Sequence, residues 1–238
     1  MTNERKYIIS ENYKRVMDQI EAAKARRDRA ITGEVTLLAA TKTVDAQEIL
    51  YAIEELGLPA VGENRVQELL SKYDALRGKS PLHLIGHLQT NKVRQIVGKV
   101  DMIQSVDSLR LAGEIGKRST EAGVVTDVLA EINIGKEENK SGVLPEETEE
   151  FAAALREIPG IRLRGLMTMA PVCDTKDDYY KFFSKTYAIY LDIREKKSHN
   201  IIESVLSMGM SDSFVPAIEA GATMVRVGSA IFGPRIYT

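Results

Sequence analysis

Three stretches of this sequence combine residue types that could do chemistry together. Glu34-Val-Thr-Leu-Leu-Ala-Ala-Thr-Lys42 is a nearly continuous apolar run that ends on a lysine. Such a run reads as a parallel strand covered on both faces, with the lysine at its carboxyl end. An amine held on a rigid element and partly desolvated can lose its proton and attack a carbonyl carbon. Taken alone, Lys42 reads first as a solvated loop lysine. The other two stretches are Ser207-Met-Gly-Met-Ser211 and Arg226-Val-Gly-Ser-Ala-Ile-Phe-Gly233. Each carries a glycine that lets the backbone approach closely and a serine where a helix opens, whose free N–H groups favour an anion. Singly, Gly209 and Gly228 only make turns, and Ser211 and Ser229 only cap helices. Together, opposite Lys42, they read as a phosphate cup.

A carbonyl-capturing lysine facing a phosphate cup suits pyridoxal 5′-phosphate, whose aldehyde and phosphate lie at opposite ends of one ring. The chemical rival is an aldolase lysine acting on a sugar phosphate. That chemistry sets carboxylates beside the lysine, and Glu63 is the one candidate, equally readable as a charge at a helix N-terminus.

The elements that position these groups alternate. After a charged helix over 10–30, the strand before Lys42 is followed by a helix over 45–56, with Asp45 as N-cap and Glu48 three residues on, as in a capping box. Strands at 59–62, 83–86, 101–105, 126–134, 162–166, 204–206 and 223–227 follow, with 126–134 the longest. Between them come helices at 63–76, 90–97, 108–120, after Pro145, 175–197 and 211–220, and a short one from Ser229. Eight strands alternating with eight helices predict an α/β fold, a (β/α)8 TIM-type barrel with an extra N-terminal helix. An open doubly wound sheet is the runner-up, but no Gly-x-Gly-x-x-Gly follows the first strand. Pro216 conflicts with a helix over 211–220: either that helix begins near Val215 or its first turn is irregular. The expected organisation is one domain over 1–238, with the barrel over 34–233.

Composition narrows the function. Charged residues make up 28% and the net charge is -2, so no basic footprint argues for nucleic acid or an anionic membrane. No run approaches a membrane span, and the N-terminus lacks an apolar signal core. A cytoplasmic location is expected. The single cysteine, Cys173, excludes an internal disulfide, and with His83, His87 and His199 scattered there is no metal-ligand spacing.

Six motifs carry a resemblance: Ala40-Thr-Lys42, Gly62-Glu-Asn-Arg-Val-Gln-Glu68, His83-Leu-Ile-Gly-His-Leu-Gln-Thr-Asn-Lys92, Gly165-Leu-Met-Thr168, Ser207-Met-Gly-Met-Ser-Asp212 and Arg226-Val-Gly-Ser-Ala-Ile-Phe-Gly233. In this order, over nearly the whole chain, they resemble the pyridoxal phosphate homeostasis proteins (the YggS-type family), whose fold is like the N-terminal barrel of alanine racemase. The resemblance implies that Lys42 carries pyridoxal 5′-phosphate as a Schiff base. It implies that Ser211, Gly228 and Ser229 hold the phosphate and Arg226 faces the pyridine nitrogen. Asn64, His87, Met167 and Ser207 would line the ring. An arginine at the ring nitrogen disfavours protonation there and weakens the ring as an electron sink.

The function so implied is to hold and buffer or deliver pyridoxal 5′-phosphate, with apo-enzymes as recipients and no established catalytic residue. The alternative is a racemase-type enzyme with Lys42 as base. The second β domain and the partner tyrosine of alanine racemase are not expected here, and Tyr237 reads as a tail residue. Lys136 and Lys140, in the loop after the fifth strand, are candidates for a transient second imine during delivery, or simply a solvated charged loop. A protein that binds no ligand would leave the polar rim unexplained.

Overall fold

The computed structural model describes residues 1–195 and 205–234. Eight parallel strands close into a barrel in chain order: β1 (Thr36–Ala40), β2 (Ala60–Glu63), β3 (Leu82–Leu84), β4 (Met102–Val106), β5 (Thr126–Ile132), β6 (Ile161–Thr168), β7 (Val205–Ser207) and β8 (Met224–Val227). Closure is made by β8 against β1, with Leu37 opposite Val225. Around the strands run α1 (Asn3–Ala25), α2 (Ala46–Leu56), α3 (Val66–Leu76), α4 (Val93–Ile96), α5 (Leu109–Glu121), α6 (Thr148–Arg156), α7 (Lys176–Glu195), α8 (Phe214–Glu219) and α9 (Ser229–Phe232).

Alternation along each strand divides its side chains between two interiors. Leu37, Ala39, Val61, Leu84, Ile103 and Val128 join the large apolar cluster shared with the helices. Their strand neighbours face the barrel axis. There Leu38, Ala60, Ile85 and Met224 make one small cluster, and Met102, Leu129 and Met167 another. The same inward set contains buried His83, Gln104, Glu131, Ser207 and Arg226.

Several boundaries differ from expectation, each for a local reason. β6, at eight residues, is longer than β5 at seven. The fifth strand stops at Ile132 because Asn133 turns the chain, its Oδ1 accepting from Glu137 N at 3.1 Å and its Nδ2 donating to Glu137 O at 2.8 Å. β2 runs on through Glu63, and α3 starts only at Val66. Asp45 caps α2 through Gln47 N at 2.8 Å, but Glu48 does not close a capping box; both its oxygens accept from Arg5 at 2.7 Å. α8 begins at Phe214, so Pro216 stands in the first turn, where its missing N–H has no helical acceptor to lose. The segment expected as a helix over 90–97 divides into a 3-10 turn at Thr90–Lys92 and the single turn of α4.

The N-terminal helix starts at Asn3 rather than Ser10 and ends at Ala25. It packs against α8, α9 and α2. Asn12 Nδ2 donates to Ile231 O at 3.1 Å, and Arg27, just past its end, donates to Ile218 O at 2.9 Å. Ser204, His199, Tyr237 and the predicted end of the seventh helix lie outside the described residues.

Candidate functional site

Lys42 follows β1 by two residues. Alternation turns Thr41 outward toward the helices and Lys42 inward over the barrel mouth. The turn that achieves this is unusual: Thr43 has φ of 64°, in the left-handed region that costs a non-glycine residue about 1–2 kcal/mol. Lys42 thereby joins the wall of a cavity of about 680 Å3 at the carboxyl rim of the strands. Asn64, Ser211, Arg226, Gly228 and Ser229 line the same cavity. Five of the expected cofactor contacts are thus gathered with Lys42.

The anion cradle is built from backbone. Gly228 N and Ala230 N both donate to Ser211 Oγ at 3.3 Å. Ser211 therefore does not cap its own helix; its hydroxyl occupies the concavity formed by the next loop. Gly228 is required by a close approach, since a Cβ there would lie 2.7 Å from Ala40 O. Gly209, with φ of 91°, makes the turn that brings Ser211 round.

Arg226 is buried inside the barrel mouth and is held on one side only. Nη1 donates to Ser207 Oγ at 2.7 Å, and Nη2 donates to Thr168 O at 2.8 Å. Ser207 in turn donates to Gln104 Oε1 at 2.7 Å, and Gln104 Nε2 lies 2.8 Å from His83 Nδ1. Burial lowers Arg226 to about 10, opposed by the nearby Glu131. Burial also lowers His83 to about 4, so its imidazole is neutral at pH 7. Glu131 is pushed up to about 7, by burial first and by Asp107 second, and its Oε2 has no partner.

Three expected ring contacts fall elsewhere. Ser207 stands behind Arg226 rather than on the cavity wall, so it orients the guanidinium. Met167 is fully buried in the apolar cluster with Met102 and Leu129. His87 is 59% exposed and lines a separate cavity, with Nδ1 at 3.4 Å from Asp107 Oδ2 and 3.3 Å from Ser141 Oγ. It follows β3, which ends at Leu84, so two further residues carry its side chain past the mouth.

Glu63 matches neither expectation for it. It is the last residue of β2, fully buried, and faces the helices rather than Lys42's cavity. Lys136 Nζ pairs with Glu146 at 2.9 Å and Lys140 Nζ with Glu137 at 2.5 Å, both off the cavity wall. Cys173 Sγ donates to Pro171 O at 3.3 Å, and its thiol is pushed up by burial and nearby acids, unlike a reactive thiolate.

Sequence reasoning missed Arg5, Ile85, Met169 and Met210, all on the cavity wall. Arg5 was excluded by starting the helix at Ser10. The methionines had no signal beyond their position after strands six and seven.

A barrel with its cavity at the carboxyl rim and a lysine after β1 defines the alanine racemase N-terminal domain class. The family model for "Alanine racemase, N-terminal domain" matches residues 16–235. The pyridoxal phosphate homeostasis protein of Aquifex aeolicus is 42% identical over 230 residues, covering 95% of this chain and 98% of the relative. That of Escherichia coli is 39% identical over 235 residues, covering 97% and 98%. PipY of Synechococcus elongatus, solved with PLP bound, superposes with a TM-score of 0.80 at 29% identity, covering 94% of this chain and 100% of PipY. The chain belongs to the pyridoxal phosphate homeostasis protein family.

Proposed function

We propose that this chain binds pyridoxal 5′-phosphate covalently through Lys42 and serves intracellular homeostasis of that cofactor by holding and delivering it. The observation that carries the reading is one cavity wall shared by Lys42, Arg226 and the Ser211–Gly228 cradle. The residues present fit the group. Two N–H groups that converge on the Ser211 hydroxyl make a polar concavity suited to a phosphate beside that hydroxyl, and the volume lies within the range of roughly 300–1,000 Å3 common to small-molecule sites. The buried Asn64 Oδ1 on this wall also lacks a partner.

When bound, the cofactor supplies an aldehyde that an amine can capture. The chain's own residues do the rest. Lys42 offers the amine, the Ser211–Gly228 backbone anchors the anionic end, and Arg226 presents a fixed cation that no proton needs to leave. A pinned arginine cannot donate a proton to a ring nitrogen as a carboxylic acid can, so carbanion chemistry gains little support from it. This favours a carrier over a racemase that uses Lys42 as base. Recipient apo-enzymes and a cytoplasmic setting accompany the carrier reading. Among the described residues no helix is long and apolar enough to cross a membrane.

The test is visible absorbance of the full chain with added pyridoxal 5′-phosphate, before and after borohydride, beside Lys42→Ala. The expected result is a yellow protein whose label is fixed on Lys42 by reduction and absent in Lys42→Ala. Label distributed over other lysines, or equal colour in Lys42→Ala, would sink the reading. Racemisation of amino acids at ordinary enzyme rates, roughly 1–1000 per second, would move the racemase to the front.

A further inference from the structure

A second lysine lies directly behind the Lys42 turn, on the helix side of the barrel wall. Lys72 of α3 is buried, and its Nζ donates to three acceptors: Thr41 O at 2.9 Å, Glu63 Oε1 at 2.9 Å and Glu68 Oε1 at 3.1 Å. Thr41 Oγ1 also donates to Glu63 Oε1 at 2.7 Å. Glu68 Oε1 meanwhile accepts from the backbone N–H of Thr43. The carbonyl just before Lys42 and the amide just after it are therefore both gripped by one charged cluster.

Thr43 is one of two non-glycine residues with positive φ among the described residues. A threonine there needs surroundings that over-determine its conformation. Glu68 and Lys72, four residues apart on one helix face, provide them, and Glu63 neutralises the buried ammonium. Burial pushes the Glu63 carboxyl up, against the opposing pull of Lys72.

We infer that Glu68 and Lys72, braced by Glu63, form a clamp that positions Lys42 by holding Thr43 in the left-handed turn. The inference rests on Lys42 being the attachment residue. Condensation joins Nζ to the aldehyde carbon and expels the aldehyde oxygen as water, with both protons supplied by the amine. Its rate depends on Nζ standing over that carbon. The clamp residues act through the backbone on either side of Lys42, at Thr41 O and Thr43 N; they are positioning residues.

The experiment uses the full chain and compares Glu68→Ala, Glu68→Gln and the double variant Thr43→Gly/Glu68→Ala. The rate of absorbance change with pyridoxal 5′-phosphate is read, with borohydride-fixed label on Lys42 as the end point. Glu68→Ala should slow attachment about tenfold, because a misplaced reacting group forfeits proximity. Glu68→Gln keeps an acceptor oxygen and should react within about twofold of the parent protein. In the double variant glycine adopts the turn unaided and should recover most of the rate.

Binding of pyridoxine 5′-phosphate, which lacks the aldehyde, should be unchanged throughout. An unaltered rate in Glu68→Ala overturns the clamp. So does loss of pyridoxine 5′-phosphate binding in that variant, which would mark a merely structural role. If the parent protein itself places no label on Lys42, it is the attachment reading that fails.

Discussion

Arg226 Nη1 donates to Ser207 Oγ at 2.7 Å, deep in the barrel mouth, and Ser207 Oγ donates in turn to Gln104 Oε1 at 2.7 Å. The guanidinium is thus oriented by a relay that crosses from β8 through β7 to β4, not by a carboxylate. Such a chain is strong when fully satisfied and costly when one member is removed.

Ser207→Ala should therefore destabilise the chain although it lies off the cavity wall. An Arg226 N–H and the Gln104 Oε1 lose their partner together, at about 1–3 kcal/mol for each group. In a chain of this size each 1 kcal/mol lowers the melting temperature by about 2–4 °C, which calorimetry on the ligand-free protein would read.

Gly228→Ala should act on the phosphate end alone. Its Cβ would approach Ala40 O to 2.7 Å, so the β8–α9 loop must move and the N–H donors of Gly228 and Ala230 diverge. Affinity for pyridoxal 5′-phosphate should fall about tenfold or more, equivalent to about 1.4 kcal/mol. Affinity for pyridoxal, which has no phosphate, should change little. Equal losses for both would show that the cradle does not hold the phosphate.

Glu131 makes stability depend on pH in a defined direction. Its folded carboxyl is raised from 4.5 to about 7, so the folded state binds the proton more tightly than the unfolded chain. Stability from this group is complete below about pH 4.5 and declines as pH rises toward 7. His83, lowered from 6.5 to about 4, acts oppositely: its contribution is lost as pH falls from 6.5 toward 4. Glu131→Gln should gain on the order of 3 kcal/mol at pH 8 relative to pH 4, following the linkage between proton affinity and stability. Denaturant melts of the parent and variant at the two pH values would check this.

Arg5 ties three elements at the cavity rim. It is bidentate on Glu48 at 2.7 Å and donates to Phe232 O at 2.7 Å. The pair is partly exposed, so Arg5→Ala should cost only about 1 kcal/mol. Amide exchange at the start of α1 and in α9 should nevertheless quicken, because their shared tether is gone. Unchanged exchange in both would show that α1 is held by its apolar face alone.

The order of elements was legible because parallel strands buried on both faces must be apolar runs, and helices must repeat at three and four residues. Lys42, Arg226 and the Gly228–Ser229 turn could be located for the same reason: strand ends in a barrel define its rim. Asp45 announced its cap through side-chain chemistry that acts within three residues. Local interactions of this kind leave a trace in the sequence.

What only the tertiary structure decided is which polar residues meet. Whether Ser207 touches a ligand or orients Arg226, and whether His87 reaches the mouth or a neighbouring hollow, depends on strand stagger and on where each strand stops. Glu48 fits a capping box locally, yet a guanidinium arriving from α1 takes both its oxygens. Glu63, Glu68 and Lys72 look like ordinary helix charges until closure of β1 against β2 brings the Thr41 carbonyl over them. Side-chain period states which face a residue takes; only the packed barrel states what lies opposite.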